Sequence, residues 1–234
     1  MTFHWFGDSW VYGDELENRT LAYPYLVSNY FEAGCQIHAE KASGVSHLVW
    51  QTKNANIQPG DTVFYGLSGL DRTFAFASDG CIHHLTEGMQ LYPQWVKNAE
   101  TLNLVQTWYK NFDNQYTRHY ASANALDLCK AFALQNKATA YFYNIFSINK
   151  IDTEIVQPED WLINPLHCLG EEILHLLDNE FYTIILKDQP YLLEKEWKMQ
   201  KNMLEKYFYP NGNHPNELGH ITLSKRLINE IASR

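Results

Sequence analysis

A serine and a histidine near opposite ends of this 234-residue chain have the surroundings of a reactive pair. Ser9 lies in FHWFGDSWVYGDEL, directly after an aromatic run and the dipeptide Gly-Asp. A serine hydroxyl attacks a carbonyl only when a neighbouring base removes its proton. Ser9 also suits a helix N-cap, where Ser and Asp are both preferred. The stretch by itself favours the cap.

A base for such a nucleophile is present in NGNHPNELGH, far downstream. His214 directly precedes Pro215, and histidine is the usual general base because its pKa lies near neutrality. Taken alone, His214 also fits an ordinary surface or capping histidine, and His220 fits a structural role. The choice between these interpretations depends on whether the fold brings Ser9 and His214 together.

Predicted strands alternate with predicted helices in the first third of the chain. The strands are TFHWFGDS, CQIHAEKASG and TVFYGLSG, and each runs into small residues. Such alternation is typical of a parallel sheet with helices on both faces, whose sites form beyond the carboxyl ends of the strands. Ser9, Gly44 and Ser68 lie at those ends.

The later elements are predicted from propensity and capping. ASDGCIHH is predicted to be a loop, PQWVKNAETLNLVQTWYKNF a helix and ATAYFYNIF a strand. Ser122 is predicted to cap a helix over SANALDLCKAFALQNK. Pro215 is placed at the first position of the last helix. Its apolar face is predicted to consist of Leu218, Ile221, Ile228 and Ile231.

Four sequence blocks, in order, resemble those of the SGNH hydrolase superfamily, the GDSL-like esterases and lipases. They are FGDSWVYGDEL, KASGVSH, PGDTVFYGLSGLDR and NGNHPNELGH, which span residues 6 to 220. The resemblance implies a flavodoxin-like, three-layer α/β/α fold with a mostly parallel central sheet. It implies ester hydrolysis with Ser9 as nucleophile and His214 as base. The backbone N–H groups of Ser9 and Gly44 would belong to the oxyanion hole.

The chain departs from the family pattern at two positions. Ser68 stands where the family has an asparagine whose amide completes the oxyanion hole, and a hydroxyl donates only one hydrogen bond. Asn211 stands where an aspartate orients the catalytic histidine, and an Asp-to-Asn change in that role costs about 10⁴ in turnover in a serine protease. The resulting prediction is a Ser-His dyad with Asn211 as orienting residue and Ser68 as third oxyanion donor.

Other acidic and basic residues near these blocks have local interpretations. Asp8 is expected to organise the turn around Ser9 by accepting backbone hydrogen bonds. Asp14 and Glu15 suit the first helix turn or its cap. Asp71 and Arg72 are placed near the mouth of the pocket, where they form a local ion pair or bind a polar group of the substrate.

Composition excludes several other classes. A net charge of −9 without a Lys/Arg block argues against nucleic acid and anionic membranes as partners. No segment reaches the ~20 apolar residues of a spanning helix, and no secretory signal is recognised. Four scattered cysteines without CxxC favour a cytoplasmic protein. No nucleotide or metal motif is present, so we predict no cofactor and no metal.

The sequence therefore predicts a single domain over residues 1–234, with 72–120 as a substrate-shaping insertion. The predicted function is a serine esterase acting on acyl or acetyl esters, including those of a small-molecule or glycan substrate. Aromatic residues form 15% of the chain and can stack on sugars. The alternative is a weakly active or inactive relative that keeps the fold as a glycan-binding or interaction module.

Overall fold

A computed structural model describes residues 1–68, 72–76, 82–85, 99–113, 115–144, 207–209 and 214–233. Six strands lie within these ranges: β1 Thr2–Phe6, β2 Gly34–Ile37, β3 Thr62–Leu67, β4 Thr73–Phe76, β5 Ile82–Leu85 and β6 Thr139–Asn144. Six α-helices accompany them: α1 Ser9–Tyr12, α2 Tyr23–Tyr30, α3 Leu48–Lys53, α4 Ala99–Asn111, α5 Gln115–Gln135 and α6 Glu217–Ala232. Short 3₁₀ helices cover Arg19–Leu21 and Val45–His47.

The central sheet is parallel and has the order β2-β1-β3-β6. In this order the chain passes to one side of β1 to form β2 and to the other side to form β3. In open α/β sheets, ligands bind beyond the carboxyl ends of the strands at such a reversal of direction. Ser9 and Ser68 lie directly after β1 and β3, at the carboxyl ends of the strands as predicted.

Helices cover both faces of the sheet because alternate strand residues point in opposite directions. On one face, Trp5 and Phe64 pack with α2 and α6. On the other face, Phe6 and Tyr65 pack with α3 and α5. The result is the predicted three-layer α/β/α arrangement. β4 and β5 form a separate antiparallel hairpin.

Three local predictions are wrong. Ser122 is a buried residue within α5 rather than its cap, because the helix begins seven residues earlier, at Gln115. Pro215 forms a bridge with Phe208, and Asn216 caps α6 instead. The end of the predicted loop ASDGCIHH lies in β5, whose hairpin partner β4 supplies the hydrogen bonds.

The predicted apolar face of α6 is correct in part. Ile228 and Ile231 pack against the core, whereas Leu218 is 43% exposed. The most deeply buried leucines of the helix are Leu223 and Leu227, which the prediction did not include, so tertiary packing shifts the buried face toward them. None of the described helices combines the length and apolarity needed to cross a membrane.

Candidate active site

Ser9 is held by a sharp backbone turn at the end of β1. Gly7 has a φ of +152°, and a Cβ added there would lie 2.4 Å from a methyl group of Val11, so only glycine fits. The next residue, Asp8, caps α1, and its Oδ1 accepts a hydrogen bond from the Trp10 N–H at 3.0 Å. This confirms the turn-organising role predicted for Asp8. Ser9 is then the first helical residue, and not the cap.

A buried glutamine fixes the same turn from the side, and sequence reasoning missed it. Gln51 in α3 accepts from the Gly7 N–H at 3.2 Å and donates to the Gly7 carbonyl at 3.1 Å. Its amide also donates to Ser43 Oγ at 3.2 Å. These contacts connect the segment before Ser9 with the segment before Gly44. They carry no local sequence signal, because Gln51 lies 44 residues from Gly7.

His214 is positioned by a short bridge before α6. Its carbonyl accepts from the Tyr209 N–H at 3.1 Å, and Asn216 N–H donates to the Tyr207 carbonyl at 2.8 Å. Gly219 permits this close packing, since an added Cβ would lie 2.3 Å from the Tyr207 oxygen. The β-bridge Phe208–Pro215 on one side and α6 on the other thus hold the backbone of His214 in place.

The two ends of the chain meet at the carboxyl edge of the sheet. His214 Nε2 lies 2.9 Å from Ser9 Oγ, across 205 residues of sequence. With the imidazole protonated on Nδ1, the serine hydroxyl donates to Nε2, which is the arrangement required for general-base activation. Ser9 is 7% exposed and the His214 side chain 22%, so the pair is shielded but still in contact with solvent.

Among the residues that the structure describes, Glu15 lies beside His214 Nδ1. Its Oε1 lies 3.2 Å from Nδ1, which is ion-pair distance, although the hydrogen-bond angle is poor. Glu15 adopts a φ of +68°, an uncommon conformation for a residue other than glycine. Asn211, predicted as the orienting residue, lies outside the described residues, and its role stays a prediction. The sequence feature that could have indicated this contact is the acidic pair Asp14 and Glu15, which follows Ser9 in the first block.

The two backbone N–H groups predicted as oxyanion donors, those of Ser9 and Gly44, have no hydrogen-bond acceptor within the described part of the chain. Their role in an oxyanion hole stays a prediction. Gly44 packs so tightly on the Arg72 backbone that an added Cβ would lie 2.3 Å from its carbonyl oxygen. Ser68, in contrast, donates its hydroxyl hydrogen to the Ser43 carbonyl at 2.6 Å. This hydrogen bond would have to break before the hydroxyl could donate to an oxyanion. The role of Ser68 as a direct oxyanion donor stays a prediction.

Replacing Ser68 with alanine tests its role. The buried Ser43 carbonyl would lose its partner, so we expect a loss of about 1–3 kcal/mol in unfolding free energy. Turnover should fall by less than the about 10²–10³-fold that removal of an oxyanion donor costs. Urea unfolding and steady-state kinetics measure the two effects, with Ser224→Ala as a buried serine control in α6. A stable variant with a 10³-fold loss would identify Ser68 as a direct donor.

Arg72 forms an ion pair with the residue before Ser9. Its Nη1 donates to Asp8 Oδ2 at 2.7 Å, and Asp8 is completely buried. Burial raises the pKa of the Asp8 carboxyl, and the Arg72 guanidinium opposes this shift. The predicted partner Asp71 lies outside the described residues. The substrate-binding roles of Asp71 and Arg72 stay predictions.

His220 is a buried neutral histidine and gives folding a pH dependence. Its Nδ1 accepts from the Tyr23 N–H at 3.3 Å, and burial, followed by the charge of nearby His214, lowers the pKa of His220 to about 3. Between an unfolded pKa of about 6.5 and that value, the unfolded chain binds more protons. Stability is therefore complete above pH 6.5 and falls as pH decreases.

Below pH 6.5, we expect the titration of His220 to lower the free energy of unfolding by about 1.4 kcal/mol for each pH unit of acidification. Urea unfolding at pH 7 and pH 5 measures the slope. The variant His220→Gln keeps a hydrogen-bond acceptor without a titrating ring, so its slope should be smaller by one proton. Equal slopes for the two proteins would contradict the assignment.

Comparisons with known proteins are consistent with this geometry. No protein-family model matches the chain, and a search of curated proteins finds no match. Among solved structures, a lipolytic protein of the G-D-S-L family from Desulfitobacterium hafniense aligns over 98% of both chains with a TM-score of 0.50 and 11% identity. A two-domain esterase active on acetylated mannans aligns with all of this chain and 49% of its own length, with a TM-score of 0.52 and 9% identity.

These similarities extend over 98–100% of the chain. TM-scores of 0.50 and 0.52 at identities of 9–11% show a shared fold. The chain therefore has the three-layer α/β/α fold of these two structures, which is the fold that its resemblance to the SGNH hydrolases implied.

Proposed function

We propose that the chain is a serine ester hydrolase that acts on acyl or acetyl esters. The observation that carries the proposal is the 2.9 Å contact between Ser9 Oγ and His214 Nε2. Ser9 and His214, the predicted nucleophile and base, lie beyond the edge of the sheet. Packing of the core therefore does not require their side chains to meet. The descriptions of the structural neighbours, one as lipolytic and one as an esterase, support the same class of reaction.

The proposed reaction has two half-reactions. His214 Nε2 accepts the Ser9 proton while Oγ attacks the ester carbonyl, and the carbonyl oxygen becomes negatively charged. The N–H groups of Ser9 and Gly44 would stabilise this oxyanion. His214 then protonates the leaving alcohol, and an acyl group remains on Ser9. Water, activated by the same histidine, releases the acid and restores the serine.

Glu15 would stabilise the positive charge that His214 acquires. A carboxylate near Nδ1 favours the tautomer with the proton on that nitrogen and attracts the imidazolium. The Glu15 side chain is 40% exposed, so solvent weakens the attraction relative to a buried aspartate. In the family, the aspartate of the Asp-x-x-His block orients the catalytic histidine. We assign this role to Glu15 here, with Asn211 as the competing candidate.

Acetylated carbohydrate is the proposed substrate class. The support comes from the neighbour active on acetylated mannans, which was co-crystallised with mannopentaose, and from the aromatic content of this chain. The insertion 72–120 is proposed to shape the pocket. Its first residue, Arg72, contacts Gly44, and the hairpin β4–β5 lies within it.

Fluorophosphonate labelling tests the reaction class directly. These probes phosphonylate only an activated serine, so we expect a single adduct on Ser9, located by peptide mass spectrometry. A His214→Ala protein that remains folded should label much more slowly. If the wild-type protein does not label but binds mannan oligosaccharides, the glycan-binding alternative replaces the enzyme.

A further inference from the structure

Three potential metal ligands meet beside the loop that carries Gly44. Glu40 precedes this loop, His47 ends the 3₁₀ helix Val45–His47, and His84 lies in β5. One ligand atom from each residue lies within 4.8 Å of the other two. The three residues are separated by up to 44 positions in the sequence, which is why no spacing motif revealed them.

One of the three ligand–ligand distances already matches that around a bound ion. His84 Nε2 lies 3.3 Å from Glu40 Oε2. Ligands that bind zinc at 2.0–2.1 Å in a tetrahedron are about 3.3–3.4 Å apart. The His47 and His84 rings have centroids 4.6 Å apart and an interplanar angle of 80°, so they meet edge to face. Small side-chain rotations would therefore bring all three atoms to bonding distance.

A buried nitrogen of this cluster has no hydrogen-bond partner in the part of the chain that the structure describes. His47 is completely buried, and its Nε2 has no hydrogen-bond partner among the described residues. A buried polar atom without a partner is costly and calls for an ion or water. Nδ1 is 3.4 Å from the Gln51 amide nitrogen, but the two hydrogens of that amide go to the Gly7 carbonyl and Ser43 Oγ. Nδ1 is therefore not needed as an acceptor and can carry the ring proton, which leaves the Nε2 lone pair for an ion.

We propose that Glu40, His47 and His84 bind one divalent transition-metal ion, with zinc preferred. Two imidazoles and a carboxylate form a ligand set that suits Zn²⁺ and disfavours Mg²⁺, which prefers oxygen ligands. The Glu40 side chain is 45% exposed, and the His84 side chain 14%. An ion can therefore enter from solvent on the Glu40 side, while the imidazoles close the site from within.

The ion would connect the loop that carries Gly44 with the insertion 72–120. His47 N–H donates to the Gly44 carbonyl at 3.0 Å, and Glu40 N–H donates to the Gly7 carbonyl at 3.1 Å. His84 belongs to the β4–β5 hairpin, whose residue Phe74 packs on the His47 ring with centroids 4.9 Å apart. Binding would thus stabilise the segment 40–47 against the hairpin.

Calorimetric titration of tag-free, chelator-treated protein with ZnCl₂ tests the proposal. We expect saturable 1:1 binding, and a rise in Tm of about 5–10 °C at a free zinc concentration about 100 times the Kd. MgCl₂ at the same concentration should leave Tm unchanged. The variants Glu40→Gln and His84→Gln should each weaken zinc binding by ~10-fold or more, while His83→Gln and Glu17→Gln serve as matched controls.

The outcome is independent of esterase activity, because Ser9→Ala should bind zinc like the wild type. Absence of saturable zinc binding by the wild type would overturn the proposal. Equal binding by wild type, Glu40→Gln and His84→Gln would overturn it as well. The exposed Glu40 keeps the test decisive even where His84→Gln does not fold.

Discussion

Replacement of Ser9 by alanine is expected to reduce hydrolysis of p-nitrophenyl acetate to the buffer background, a loss on the order of 10⁶ where the wild-type rate permits its measurement. The reason is that the hydroxyl oxygen is the atom that would be acylated, and no other group lies at 2.9 Å from His214 Nε2 among the described contacts. Initial rates at several substrate concentrations measure the loss in kcat.

The structure of the site should survive this change. Ser9 is the first residue of α1, and the capping hydrogen bond belongs to Asp8, so Ser9→Ala removes no cap. We expect an unchanged Tm. Ser233→Ala, which changes an exposed serine after α6, serves as the matched control. Equal rates for wild type and Ser9→Ala would exclude Ser9 as the nucleophile for this substrate.

Replacement of Glu15 by glutamine is expected to lower kcat by about 10²–10⁴-fold with little change in KM. An amide near Nδ1 neither attracts the imidazolium nor enforces the tautomer, and the corresponding change in a serine protease costs about 10⁴. Partial exposure of Glu15 places the loss below that limit. Steady-state kinetics provide kcat and KM separately.

Two companion variants make this experiment specific. Glu17→Gln removes the same charge from an exposed residue two positions further along and should retain full activity. Asn211→Ala examines the orienting residue predicted from the sequence. A large loss for Asn211→Ala together with normal activity of Glu15→Gln would transfer the role to Asn211.

Local pattern was sufficient to predict the layers, and the resemblance of the four blocks to SGNH hydrolases singled out Ser9 and His214 as the reactive pair. Strands β1 and β3 are buried aromatic and β-branched runs that end in glycine or serine, so their positions and the loops beyond them follow from the sequence. Local pattern failed at β5, which forms because β4 pairs with it, and at the start of α5, which lies seven residues before Ser122.

The amino-acid sequence by itself determined the parallel α/β architecture, because strand burial and residue type are local properties. The family resemblance of its blocks named the two residues that meet at the sheet edge. The tertiary structure alone decided which groups surround them: Glu15 beside His214, Arg72 on Asp8, and Ser68 on the Ser43 carbonyl. It also brought Glu40, His47 and His84 together. These contacts depend on loop conformation and on packing between segments far apart in the chain, and residue spacing does not encode either.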